Sequence, residues 1–229
     1  MTGMTDADRF SIKSYVRRSG RASKAQLRSL DTLGGAYCIP FAEEKIDFGH
    51  LFGNDNPVTV EIGFGMGSAT AEIASKNPQK NYIGIEVFRA GIGRLLWEIE
   101  RRGLANVRII EHDAPAVLEK MIPDGGVGAF HIFFPDPWPK KRHRKRRLVR
   151  RPFTGLLASK LDNGGYIYMV SDSADYCDSA LLELAAVETL RNAYPKFAPR
   201  QSWRPVTKFE EKALSLGRGP LELFFVNQR

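Results

Sequence analysis

A chain of 229 residues, 43% hydrophobic and 26% charged, carries enough apolar material to bury one sizeable core, which excludes a disordered chain. Lys and Arg total 34 against 26 Asp and Glu, and the resulting +8 fits a polyanionic partner, a statement about association and not about fold. Two cysteines and four scattered histidines offer neither a disulfide framework nor a metal-ligand spacing, and no apolar run spans a bilayer or forms a signal-peptide core, so a soluble, cytoplasmic protein with no metal site is expected.

Residues 1–56 show no clear period; they hold Arg17-Arg18-Ser19-Gly20-Arg21 and Gly34-Gly35, and read as a basic arm with one or two short helices. From Pro57 the pattern changes. Val58–Ile62 is a short β-branched run ending in glycines, hence a buried strand. A helix follows over Ser68–Ser75, closed by Asn77-Pro78, then a strand at Tyr82–Ile85 and a longer helix over Arg89–Arg102, stopped by Gly103. Val107–Ile110 is the third strand, Ala114–Met121 the third helix and Val127–Phe134 the fourth strand. Pro152–Leu161 reads as a helix with a favourable proline near its start, Gly165–Val170 as the fifth strand and Ala174–Arg191 as one long helix. Four prolines between Arg191 and Leu221 precede a last strand at Leu221–Val226, where a closing antiparallel pair has room to form. Alternating strands and helices predict an α/β domain over 57–229, its mostly parallel sheet covered on both faces.

The most telling stretch lies just past the fourth strand, where Phe133-Phe134-Pro135-Asp136-Pro137-Trp138-Pro139 runs into Lys140-Lys141-Arg142-His143-Arg144-Lys145-Arg146-Arg147. Two prolines hold Asp136, and three restrict Trp138 and its neighbours. Nine of the twelve residues from Lys140 to Arg151 are Lys or Arg, with no acid between Asp136 and Asp162, and seven bases without an acid lie between Arg9 and Leu30. Two such clusters fit the footprint of a nucleic acid, ahead of a solvated loop or a nuclear localisation signal. Trp138 can stack on a base or pack under the basic loop.

Glu61-Ile62-Gly63-Phe64-Gly65-Met66-Gly67 occupies the first strand-to-helix turn. Glycines at alternate positions allow close backbone approach to a ligand, though a merely tight turn is open too. The third glycine comes one residue early for a dinucleotide fingerprint, which argues against a nicotinamide-dependent oxidoreductase. Glu61 suits an ammonium or sulfonium better than a pyrophosphate. Glu86, 23 residues after Gly63, is placed to accept ribose hydroxyls of an adenosine. Asp113 can accept from an adenine amino group or cap a helix.

On these residues the chain resembles class I S-adenosylmethionine-dependent methyltransferases, with their Rossmann-like, mostly parallel seven-stranded sheet. Phe134–Leu148, Arg18–Gln26 and Thr207-Lys208-Phe209-Glu210 further resemble the signature segments of the bacterial tRNA (guanine-N7)-methyltransferase family. The resemblance implies S-adenosylmethionine as cofactor, held by Glu61, Gly63, Gly65, Gly67, Glu86, Asp113 and Asp136. It implies substrate contacts at Lys140, Asp172, Thr207, Lys208, Phe209 and Glu210, and tRNA contacts at Arg142, His143, Arg144, Lys145, Arg146 and Arg147. It also implies an enzyme that acts alone or as a homo-oligomer on the tRNA variable loop. Arg144 stands where the family often has Asn, Ser171-Asp172-Ser173 replaces a commoner Thr-Asp pair, and Gly217-Arg218 replaces a frequent Gly-His. Guanine N7 carries a lone pair and no proton, so methylating it needs alignment and electrostatics rather than a general base. A carboxylate matches the N1–H and N2–H donors of guanine; Asp136, Asp172 and Glu210 are the candidates, with Asp136 favoured as catalytic because a strand end faces the crevice.

Overall fold

The computed structural model describes residues 15, 22–215, 217 and 219–229; Arg17, Arg18, Arg21 and Arg218 lie outside them. In chain order the elements are α1 (Lys24–Tyr37), α2 (Phe48–Phe52), β1 (Val58–Ile62), α3 (Ser68–Lys76), β2 (Asn81–Glu86), α4 (Arg89–Arg102), β3 (Val107–Glu111), α5 (Ala114–Lys120) and β4 (Val127–Phe133). A 3-10 turn over Lys141–Arg146 follows, then α6 (Phe153–Lys160), β5 (Leu161–Ser171), α7 (Ala174–Ala185), β6 (Leu190–Asn192), α8 (Lys208–Ser215) and β7 (Leu221–Asn227). The seven strands form one sheet in the order β3-β2-β1-β4-β5-β7-β6. The first five run parallel, and β7 pairs antiparallel with both β5 and β6, the closing pair that the proline-rich connection left room for.

All five residues of β1 are buried, as a central strand covered on both faces requires. Alternation sends Val58, Val60 and Ile62 into the core beneath α5, α6 and α7, while Tyr82, Val107 and Ile109 join the core beneath α3 and α4. Helix α4 stops at Gly103, whose φ of 63° closes the helix in the left-handed conformation.

The first 56 residues supply more than short helices. Helix α1 runs 14 residues from a capping box in which Ser23 and Gln26 exchange hydrogen bonds of 2.7 and 3.3 Å. Beyond it the Ile39 amide donates to the Ile109 carbonyl and the Ile46 amide to the Met121 carbonyl, each at 2.8 Å. Ile39, Phe41, Ile46 and Phe48 pack on the core of the sheet.

Three stretches differ from the sequence expectation. The long helix expected over Ala174–Arg191 ends at Ala185, and Leu190–Asn192 turns back as an edge strand on β7. Its Ala- and Leu-rich composition continues past the end without Gly or Pro, so pairing with β7 overrides local propensity. Strand β5 begins at Leu161 rather than Gly165, with a register shift opposite Val127–Ala129 that absorbs Gly164, at φ 84°. Helix α8, not expected, begins at the Thr-x-x-Glu sequence of Thr207 and Glu210.

Strands β1, β2 and β3 lead one way across the sheet, and β4 and β5 the other. The carboxyl ends of β1 and β4 therefore bracket a topological switch point, where α/β sheets open a crevice.

Candidate active site

A cavity of about 740 Å³ occupies that crevice. The turn after β1 forms its floor. Gly63 and Gly65 have φ of 75° and 58°, and a Cβ at either position would meet nothing within 4 Å, so the backbone there is left-handed and open to the cavity. From behind, a Cβ on Gly91 of α4 would lie 1.8 Å from the Gly65 carbonyl oxygen, which fixes how closely α4 supports the turn.

Three acids enter from successive strand ends. Glu61, near the end of β1, is 3% exposed and lines the cavity. Burial pushes its carboxyl up to about 7, and the Glu86 carboxylate adds to the rise. Glu86 ends β2; its Oε2 accepts from the Gly65 amide at 2.8 Å, and its Oε1 from the Val87 and Phe88 amides at 2.7 and 3.1 Å. Asp113 occupies the N-cap position of α5 yet makes no side-chain capping hydrogen bond, and it lines the cavity. Beside it, the His112 ring stacks on Phe41 with centroids 3.9 Å apart.

The opposite wall comes from the end of β4. Phe134 and Asp136 line the cavity. Phe134 and Trp138 adopt φ of 50° and 45°, left-handed conformations that bulky residues rarely hold and that cost on the order of 1–3 kcal/mol each. Trp138 packs under its own basic loop, with the Arg146 guanidinium 4.9 Å above the ring and His143 edge-on at 5.9 Å. Lys140, Lys141, Arg142, Arg144 and Lys145 are exposed. Arg144 reaches Asp175 at 2.8 Å. Arg147 points inward: it is buried, pairs with Asp175, donates to the Pro137 carbonyl at 2.9 Å and lies 4.9 Å over the Tyr176 ring. Its hydrogen bond holds the Asp175 carboxyl below the usual range.

The third wall is Pro205, Val206, Thr207 and Glu211. Thr207 Oγ1 accepts from the Glu210 amide at 3.2 Å, half of a capping box that starts α8. The Glu210 side chain turns away, buried against Arg204. Lys208 and Phe209 supply the first-turn backbone of α8. Asp172 is half-buried in the loop between β5 and α7, outside the cavity lining. Of the three carboxylates considered for a guanine edge, Asp136 is the one that lines the cavity. Sequence reasoning missed Tyr15, His112 and Glu211 as lining residues and Arg204 as a buried one; the Thr-x-x-Glu capping pattern was the available signal for the third wall.

A methyltransferase family model, Methyltransf_4, matches residues 55–223. The tRNA (guanine-N(7)-)-methyltransferase of Paraburkholderia xenovorans strain LB400 is 46% identical over 214 residues, 93% of this chain and 82% of that one. The protein of the same name from Francisella tularensis subsp. novicida is 45% identical over 215 residues, 93% of this chain and 94% of that one. Among solved structures, the 16S rRNA methyltransferase KamB superposes with a TM-score of 0.56 at 16% identity over 81% of this chain and 95% of its own. An rRNA methylase from Streptococcus thermophilus does so with 0.52 at 13% identity over 92% of this chain and 100% of its own. At such identities the two structures speak for the fold, whereas the relatives are 45–46% identical over 93% of this chain; on that match the chain belongs to the tRNA (guanine-N(7)-)-methyltransferase family.

Proposed function

We propose that this protein transfers the methyl group of S-adenosylmethionine to N7 of a guanosine in the variable loop of tRNA. The observation that carries the reading is the continuity of one cavity. The same space is lined by the glycine turn with Glu61, Glu86 and Asp113, and by Phe134, Asp136 and Thr207 on the substrate side.

The residues fit the cofactor. Gly63 and Gly65 leave an open cradle that any Cβ would begin to fill, and acids stand at three strand ends around it. Glu86 accepts the ribose hydroxyls, Asp113 the adenine amino group, and Glu61 faces the cationic methionine end. When bound, the cofactor supplies an electrophilic methyl on a positively charged sulfur. No side chain need remove a proton, because guanine N7 offers a free lone pair. Asp136 accepts from the N1–H and N2–H edge and faces the positive charge that the purine gains. Its position between prolines limits the freedom it must lose.

Lys140, Lys141, Arg142, Arg144 and Lys145 present cations to tRNA phosphates, with His143 and Arg146 holding Trp138 and Arg147 anchoring the loop from inside. Lys140 and Asp172 contact substrate outside the cavity, and Thr207 within it. The enzyme acts in the cytoplasm as a monomer or homo-oligomer and requires no second subunit.

The test is to incubate the protein with labelled S-adenosylmethionine and unmodified tRNA, digest to nucleosides and identify the product. Label in 7-methylguanosine supports the reading. Label in another nucleoside overturns the base assignment, and no label while cofactor and tRNA both bind overturns action without a partner.

A further inference from the structure

The substrate-side wall is fastened from below by a buried polar cluster that the proposed chemistry does not use. Arg204 is 1% exposed. Its Nη1 and Nη2 donate to the two Glu210 carboxylate oxygens at 2.5 and 2.7 Å, its Nη2 also to Glu222 Oε1 at 2.8 Å, and its Nε to the Tyr168 hydroxyl at 3.1 Å. The Tyr168 hydroxyl in turn donates to Glu222 Oε2. Glu222 of β7 pairs directly across from Val170 of β5, and Tyr168 also lies on β5, so the cluster is rooted in the two neighbouring strands that follow β4 in the sheet.

Next to it, the Trp203 ring stacks on His131 with centroids 4.8 Å apart and meets Tyr168 edge-on at 5.2 Å. The Arg204 carbonyl accepts from Arg200 at 2.6 Å. The segment Pro205–Thr207, which lines the cavity, is thus held at one end by Trp203 and Arg204. At the other end it is held by Glu210, one turn into α8 and bound to the same guanidinium.

Burying one guanidinium with two carboxylates is costly unless every donor and acceptor is matched. Replacing the three with apolar side chains would commonly serve stability as well. What the charged arrangement supplies instead is direction: a planar fork binds a carboxylate in one orientation only, which a lysine cannot do.

We propose that Arg204, seated on Glu222 and Tyr168, is the positioning residue that sets Thr207 and the start of α8 against the reacting centre. Through Arg204, Glu210 shapes the wall rather than reading the guanine itself. The inference rests on the assigned tRNA methylation, and the wild-type assay separates failure of the two: absence of 7-methylguanosine with wild type sinks the assignment, not the positioning role.

The experiment compares Arg204→Lys, Glu222→Gln and Glu210→Gln with wild type in the full chain. It measures thermal unfolding, S-adenosylhomocysteine affinity, and kcat and KM for tRNA. The expected result is a loss of about 10- to 100-fold in kcat/KM for tRNA in each variant, the scale of a displacement near 1 Å at a reacting centre. Cofactor affinity stays within about twofold, and Arg204→Lys combined with Glu210→Gln is no worse than either alone. Glu222→Gln keeps shape and most hydrogen bonds, so it remains informative if Arg204→Lys does not fold. Unchanged kcat/KM in folded variants overturns the proposal. So does a parallel fall in cofactor affinity, which marks a merely structural role. Multiplying losses for Arg204 and Glu210 also overturn it, because Glu210 would then act directly on the substrate.

Discussion

Glu86 Oε2 accepts the Gly65 amide at 2.8 Å, so the carboxylate that ends β2 pins the glycine turn that ends β1. Its other oxygen accepts two amides at the entry to α4. On the proposed reading, ribose recognition and the shape of the cradle would be coupled through one side chain. Glu86→Gln sets an amide donor against backbone donors on one side or the other. Hydrogen bonds to a charged group contribute about 1.5–3 kcal/mol, so S-adenosylhomocysteine affinity should fall by about tenfold or more while tRNA affinity holds. Calorimetric titration checks it, and an unchanged Kd removes Glu86 from the cradle.

On the proposed reading, Glu61 should make cofactor binding pH-dependent. Its carboxyl stands near 7 in the folded protein, chiefly from burial, against 4.5 in an unfolded chain. Below 4.5 the acid is protonated in both states and its contribution to stability is full. As pH rises from 4.5 to 7 the unfolded chain loses the proton first, so that contribution is lost, and above 7 the dependence is flat. If an ionised Glu61 faces the cationic methionine end, binding releases a proton below about 7 and affinity climbs by up to about tenfold per pH unit. Titration in buffers of differing ionisation enthalpy reads the proton directly. Glu61→Gln should abolish both the release and the slope; a slope that survives places the titrating group elsewhere.

Gly91→Ala tests the support behind the turn. A helix interior ordinarily gains about 1 kcal/mol from this change. Here the new methyl lands 1.8 Å from the Gly65 carbonyl, and the backbone contact has no flexible side chain to yield. The expected outcome is a net destabilisation of about 1–3 kcal/mol and weaker cofactor binding. A variant more stable than wild type would show that α4 can draw back without disturbing the cradle.

On the proposed reading, the basic segment divides into exposed cations for RNA and the buried Arg147 for the fold. Removing Lys141, Arg142 and Lys145 together should leave thermal stability unchanged and reduce the slope of log affinity against log salt by about 2–3, at roughly 0.7–0.9 per phosphate contact. Arg147→Ala should instead lower the melting temperature, because it removes a buried guanidinium that pairs with Asp175, lies over Tyr176 and donates to the Pro137 carbonyl. Its loss of activity should track unfolding. Equal salt slopes for the two variants would return Arg147 to the RNA-facing set.

That division shows where the sequence stops being readable. The bounds of β1 and α4 follow from it because glycines and a clean period mark both ends, and the strand-end positions of Glu61, Glu86, Asp113 and Asp136 follow from the alternation of elements. The inward turn of Arg147 does not: seven neighbouring cations look alike until α7 brings Asp175 and Tyr176 to Arg147 and buries its guanidinium. Likewise Glu210 sits in a motif with Thr207, yet its partner Arg204 is fixed by Glu222, 18 residues further on in β7. Periodicity cannot foretell a contact that depends on which strand lies between two others. The edge strand β6 was hidden for the same reason.

Asp136 carries the sharpest expectation. It lines the cavity opposite the glycine turn, directly after a residue pair that holds strained backbone at Phe134. Strain of this kind persists only where surrounding structure over-determines it, and on the proposed reading it would aim a carboxylate at the place where a purine becomes cationic. Asp136→Asn keeps the size and one acceptor but removes the charge and sets an amide donor against the donor edge of guanine. The transition state, richer in positive charge than the ground state, should suffer more than binding does. We expect kcat to fall by about 100-fold or more, with tRNA affinity and its salt slope unchanged. A variant whose KM rises while kcat holds would make Asp136 a binding residue alone, and an unchanged rate would move the role to Glu211, the other carboxylate on the substrate side of the cavity.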